Sequence, residues 1–134
     1  MAVTPNSIVT PQAVKSATAV CTTANTSYTA PTNTVAIVTA GSNGARLTKL
    51  RAIPNATVTA TECQEFRSAD GGTTKRYSNA ATMAAHTKSQ TAAPTPTDFG
   101  YSDVNPKILA PSEQIYVAIG VSGSVTFEAE WQDY

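Results

Sequence analysis

The chain has 134 residues, a formal net charge of zero and only 13% charged residues, about half the usual charged fraction of roughly a quarter. That length fits one domain, and a chain of this size can build a core without metals or disulfides. The low charge excludes long-range steering onto nucleic acid or an anionic membrane, and it permits close packing against copies of itself or a partner.

Alanine and threonine together make up roughly a third of the chain, far above ordinary usage. Threonine is β-branched and favours strands, and its hydroxyl keeps an exposed strand face wet without charge. Residues 1–20 lack the basic start and apolar run of a signal peptide, so synthesis in a cytoplasm is expected. No apolar stretch has the length of a membrane-spanning helix. Cys21 and Cys63 are too few for a disulfide framework; pairing across neighbouring strands is open to them, but two buried free thiols are the preferred reading.

Residues 1–16 read as an extended arm, because Pro5 and Pro11 disfavour helix and Ile8, Val9 and Val14 form no periodic stripe. A single sandwich domain is expected over 17–134. Its first strands fall at 17–22 and 34–39, followed by a turn at 40–44 whose Gly and Asn-Gly residues tolerate positive φ. A third strand spans 45–53. Leu47 and Leu50 would lie on opposite faces of a regular strand, so either a bulge intervenes or both faces are covered. The fourth strand, 57–67, places Val58, Ala60 and Phe66 in phase, interrupted by Glu62 and Gln64.

Asp70-Gly71-Gly72 marks a hairpin turn. An Asp-Gly loop would set Glu65 opposite Arg76 and is preferred on charge to a Gly-Gly loop, which pairs Phe66 with Tyr77 and Arg67 with Arg76. Residues 79–89 form the one short helix expected, rich in alanine and capped by Asn79. Residues 91–105 form a long loop with Pro94, Pro96, Phe99 and Tyr101, and loops of that length are usually functional or draped over a partner. In the last segment Ile115, Val117, Ile119 and Val121 alternate with polar or small residues, and Val125, Phe127, Ala129 and Trp131 do the same after Ser122-Gly123-Ser124. The pattern predicts a half-buried antiparallel hairpin. Many short strands with turn signals between them predict an all-β fold, an antiparallel sandwich or jelly roll.

Catalytic and metal-binding constellations are weak. Glu128 and Glu130 share a strand face that reads as solvated surface, and Glu62 and Glu65 fall on opposite faces. His86 is the only histidine, and no Gly-x-Ser-x-Gly turn presents a nucleophile. Two separated cysteines and one histidine match no zinc spacing, Asp70-Gly71-Gly72 lacks the acidic ligands of a calcium loop, and Gly41-Ser42-Asn43-Gly44 lacks a phosphate loop's ending. Arg46, Lys49 and Arg51 with Lys75, Arg76 and Arg67 would make at most a modest basic patch. The expectation is therefore a binding protein rather than an enzyme, with no cofactor, metal, nucleic-acid or membrane partner.

The layout resembles the capsid decoration, or cement, proteins of tailed bacteriophages. The resemblance rests on the Thr/Ala-rich start, the turn 40–45, the run Leu109-Ala110-Pro111-Ser112-Glu113-Gln114-Ile115-Tyr116-Val117, and the acidic-aromatic tail at Asp133 and Tyr134. It covers roughly residues 34–134 in pattern; the Ala/His stretch and the Pro94–Pro96 loop depart from it. It implies a jelly roll on the exterior of the virion capsid that bridges major capsid protein subunits and braces the expanded head. Its partners would be the major capsid protein and copies of itself, as a dimer or trimer. Contact residues would be Val3, Ile8 and Val9 on the arm, with Phe99 and Tyr101 on the long loop. The rival expectation is a carbohydrate- or receptor-binding sandwich of a fibre or tail, for which Tyr28, Tyr77 and Tyr101 supply aromatics. A third is an accessory domain that closes into a ring in a head or tail.

Overall fold

A computed structural model describes residues 10–134, which fold into nine strands with no helix among the described residues. The strands are β1 (Ala13–Cys21), β2 (Val35–Thr39), β3 (Ala45–Pro54), β4 (Thr61–Ser68), β5 (Arg76–Met83), β6 (Thr97–Asp98), β7 (Lys107–Leu109), β8 (Gln114–Ile119) and β9 (Val125–Asp133). One sheet has the order β1-β9-β3-β6, with β7 also pairing β3; the other has the order β2-β8-β4-β5. All pairings are antiparallel. Because β6 and β7 flank the same side of β3, one near each end, they act as one interrupted strand. The result is the eight-strand, two-sheet order of a jelly roll.

The core lies between the sheets. Leu47, Leu50, Ile115, Val117, Ile119, Val125, Phe127 and Ala129 are all fully buried, and each larger side chain contributes about 1.5–3 kcal/mol by leaving water. A bulge between Leu47 and Lys49 lets both leucines point inward. The turn before β3 needs glycine at Gly44, where φ is +87° and a Cβ would lie 2.6 Å from the Leu109 carbonyl.

Four expectations from the sequence are overturned. The last two alternating segments do not form a hairpin: β8 pairs with β2 and β4, whereas β9 pairs with β1 and β3. Their apolar sides face each other across the core rather than along a ladder, since alternation specifies a face but not a neighbour. The 79–89 stretch is not helical. Ala80, Ala81 and Met83 pair with Gln64, Cys63 and Thr61 of β4, and this pairing overrides alanine's helix propensity. The β4–β5 register pairs Phe66 with Tyr77 and Arg67 with Arg76, not Glu65 with Arg76. Arg67 escapes its like-charged neighbour by chelating Glu113, at 2.9 and 2.5 Å. Finally, β1 begins at Ala13, so residues 13–16, read from sequence as arm, pair with β9.

Candidate functional site

A polar cluster around the buried Glu65 joins the two sheets and holds the long loop, with Ser78 at its exposed rim. Glu65, fully buried, faces inward from β4, and a bulge in β5 opposite it turns both Ser78 and Asn79 toward the same side. One carboxylate oxygen accepts from the Tyr101 hydroxyl at 2.8 Å; the other accepts from Ser78 and from the Lys107 ammonium. Lys107 also donates to Ser78 Oγ at 2.8 Å and to Tyr101 Oη at 3.3 Å, which uses its three donors. Asn79 Nδ2 donates to Tyr101 Oη at 3.0 Å and to the Phe99 carbonyl at 3.2 Å. Burial, followed by the Glu65 charge, pushes the Tyr101 phenol well above its ordinary value, so it stays a donor. The Ser78–Lys107 contact has the composition of a Ser–Lys pair. However, an ammonium donating to three acceptors has no lone pair with which to take the hydroxyl proton.

This network corrects two contact residues expected from sequence. Phe99 is not an exposed anchor: it is a core residue, its ring 6.3 Å from that of Phe127 and its amide bonded to the Leu50 carbonyl at 3.0 Å. Tyr101 is half-buried in the Glu65 cluster. What the loop region presents to solvent is Val104, 96% exposed, and nearby Ile108, 57% exposed. A paired bridge from Ser102 to Asn105 shapes the tip, and Arg46 donates to the Asp103 carbonyl at 2.5 Å. Val3, Ile8 and Val9 lie outside the described residues.

A second assembly covers the outer face of the β2-β8-β4-β5 sheet. The β1–β2 connection crosses that face, and Asn25 donates to Gln64 Oε1 at 2.8 Å. Gln64, Phe66 and Ala118 are thereby buried on the side away from the main core. The inward residues of β4 are thus Thr61, Cys63 and Glu65, the opposite phase to that read from Phe66. At the rim, Tyr28 and Tyr77 form a tilted pair with centroids 4.8 Å apart, 52% and 40% exposed. Tyr28 donates to Glu62 Oε1 at 2.9 Å, and Gln64 donates to the same atom at 3.0 Å. Burial and then the Glu62 contact push the Tyr77 phenol up to about 12. Beside the pair, a polar groove of about 360 Å³ runs between residues 29–31 and 72–75. Lys75 caps it, 4.5 Å from the Tyr116 ring centre and 2.9 Å from Thr34 Oγ1. Tyr101, grouped with these tyrosines on sequence, is elsewhere.

The cationic residues do not gather. Lys49 and Arg51 on β3 meet Glu128 and Glu130 across the strand, and Glu128 is held below the usual carboxylate range chiefly by Lys49. Lys75, Arg76 and Arg67 belong to the other sheet's turn region. Cys21 and Cys63 are unpaired and buried, and burial raises both thiols to about 12. His86 sits in an isolated bridge with Val58, its Nε2 buried without a hydrogen-bond partner. Among the described residues no group of three metal-ligating side chains occurs. Comparison with family models, curated proteins and solved structures finds no match for the chain.

Proposed function

We propose that the chain is a structural virion protein that binds the outer surface of a phage capsid, bridging major capsid subunits and stabilising the expanded head. The observation that carries this reading is the jelly-roll strand order, an architecture shared by viral capsid and lectin domains, in a chain whose sequence layout resembles capsid decoration proteins. Binding restricted to the expanded lattice stabilises that lattice by linkage, and many weak contacts on a repeating shell add through multivalency. In this reading the arm residues Val3, Ile8 and Val9 contact the shell. Val104 on the loop and Ile108 on β7 replace Phe99 and Tyr101 as contact residues, because they are the large apolar side chains exposed in the β5–β8 connection.

Co-sedimentation with expanded capsids tests the reading. Stoichiometric binding is expected, and Val104→Asp with Ile108→Asp should weaken it while leaving the fold intact by circular dichroism. No binding at micromolar concentration would overturn it. A second reading, a carbohydrate-binding module, is favoured by one observation, the exposed Tyr28–Tyr77 pair beside Glu62 and a polar groove. Sugar C–H faces pack on the electron-rich faces of aromatic rings, while carboxylates and hydroxyls bond sugar hydroxyls. Glycan-array binding lost in Tyr28→Ala, without capsid affinity, would establish that reading instead.

A further inference from the structure

The sheet edges differ in how they are protected. An exposed edge presents unpaired backbone N–H and C=O groups, and proteins blunt such edges with bulges, charges, short strands or local side-chain caps. β6 is only two residues long and β7 only three. β2 is five residues long and carries a bulge. β5 carries a bulge at Ser78, and the Asn79 side chain accepts from the Ala80 amide, which occupies a group otherwise free for pairing. β1 has none of these devices. It runs nine residues in unbroken register with β9, and among the described residues no strand lies on its other side. Its one charged side chain, Lys15, is drawn to Asp133 of its own chain at 2.6 Å.

The outward side chains of β1 are Val14, Ser16, Thr18 and Val20, with Val14 84% and Val20 50% exposed. Read backwards, that order is nearly itself. Antiparallel pairing of two β1 strands about a two-fold axis at Ala17 sets Val14 against Val20 of the partner subunit, and Ser16 against Thr18 of the partner subunit. The axis repeats both contacts. Lys15 then faces Ala19 of the partner subunit, so no like charges meet. Moving the axis by one residue in either direction breaks both valine pairs. A self-complementary patch is what an isologous two-fold interface requires, and cross-strand pairs of β-branched residues stabilise a ladder. A net charge of zero offers little repulsion between copies.

We propose that β1 is a homodimerisation edge, on which a second copy of this chain pairs antiparallel about Ala17 and joins the two five-stranded sheets into one. The inference is independent of the capsid reading, because the dimer forms in solution without a shell.

Light scattering on the purified chain, with a specific variant, tests it. The expected mass is twice the 13.9 kDa chain. Ser16→Lys with Thr18→Lys places each new ammonium opposite Glu130 or Glu128 of its own β9, so the folded monomer is preserved. Across the axis, however, the introduced lysines face one another. The dimer dissociation constant should rise by at least about tenfold, while the Tm read at concentrations where both chains are monomeric stays unchanged. A mixture of Val14→Cys and Val20→Cys chains should cross-link through a short bis-maleimide at least about tenfold more than Val14→Cys alone, given the spacing of opposed Cβ atoms in a ladder. A chain that stays monomeric at high micromolar concentration would overturn the proposal. So would a dimer indifferent to the lysines, or cross-linking that ignores the register.

Discussion

Lys107 and Lys49 both meet glutamates, in surroundings that differ in nearly every other respect. Lys107 and Glu65 sit between the sheets, 11% and 0% exposed at the side chain, with Tyr101, Ser78 and Asn79 completing the network. Lys49 reaches Glu128 at 2.9 Å and Glu130 at 3.3 Å on an open sheet face, all three side chains about a third or more exposed. In the first cluster the charges have lost most of their water and depend on one another and on Ser78 and Tyr101; in the second, water substitutes for any partner removed. The buried cluster therefore acts as a clasp. It ties the β5–β8 connection to β4 and sets where Val104 and Ile108 emerge. The open ladder contributes solubility more than stability.

Removing one partner separates the two cases most sharply. Lys107→Met should destabilise the fold by about 3–5 kcal/mol in urea unfolding, because it strands a buried carboxylate. Adding Glu65→Leu to it should recover part of that loss, and a double mutant no more stable than the single would contradict the clasp. Tyr101→Phe should cost about 1.5–3 kcal/mol, the value of a hydrogen bond to a charged group, and should speed proteolysis of the loop around Val104. The Arg67–Glu113 pair falls between the two clusters in exposure. Burial raises the Glu113 carboxyl, but hydrogen bonds from Arg67 and the Ala110 amide outweigh it and hold it below its ordinary value. A depressed carboxyl stabilises the fold above its unfolded pKa and loses that contribution as pH falls through the folded one. Unfolding followed from pH 7 into the acid range should accordingly show a fall that is shallower in Arg67→Met. Smallest is Lys49→Met, expected at below about 1 kcal/mol and smaller still in high salt.

The fold was largely legible from sequence, and the site was not, for reasons visible at individual residues. Alternation at Ile115–Ile119 and Val125–Trp131 identified inward faces, but identical patterns arise whether two strands pair or oppose across a core. Ala80, Ala81 and Met83 read as helix because propensity is local, while their strand pairing is imposed by β4. Phe66 gave β4 the wrong phase because the β1–β2 connection buries the outer face too; Cys63, two positions before Glu65, was the available sign of the true phase. Glu65 itself carried no signal, since its partners Lys107, Tyr101 and Ser78 come from distant segments. The same distance hid the inward packing of Phe99 and Tyr101, which a long loop would ordinarily be expected to expose.

The most direct test of capsid binding is the temperature at which expanded shells come apart, measured with increasing amounts of added protein. Linkage predicts that the disruption temperature climbs with free protein concentration, following RT ln(1 + [L]/Kd) per site. A disruption temperature that does not move at saturating protein would contradict a stabilising role on the shell.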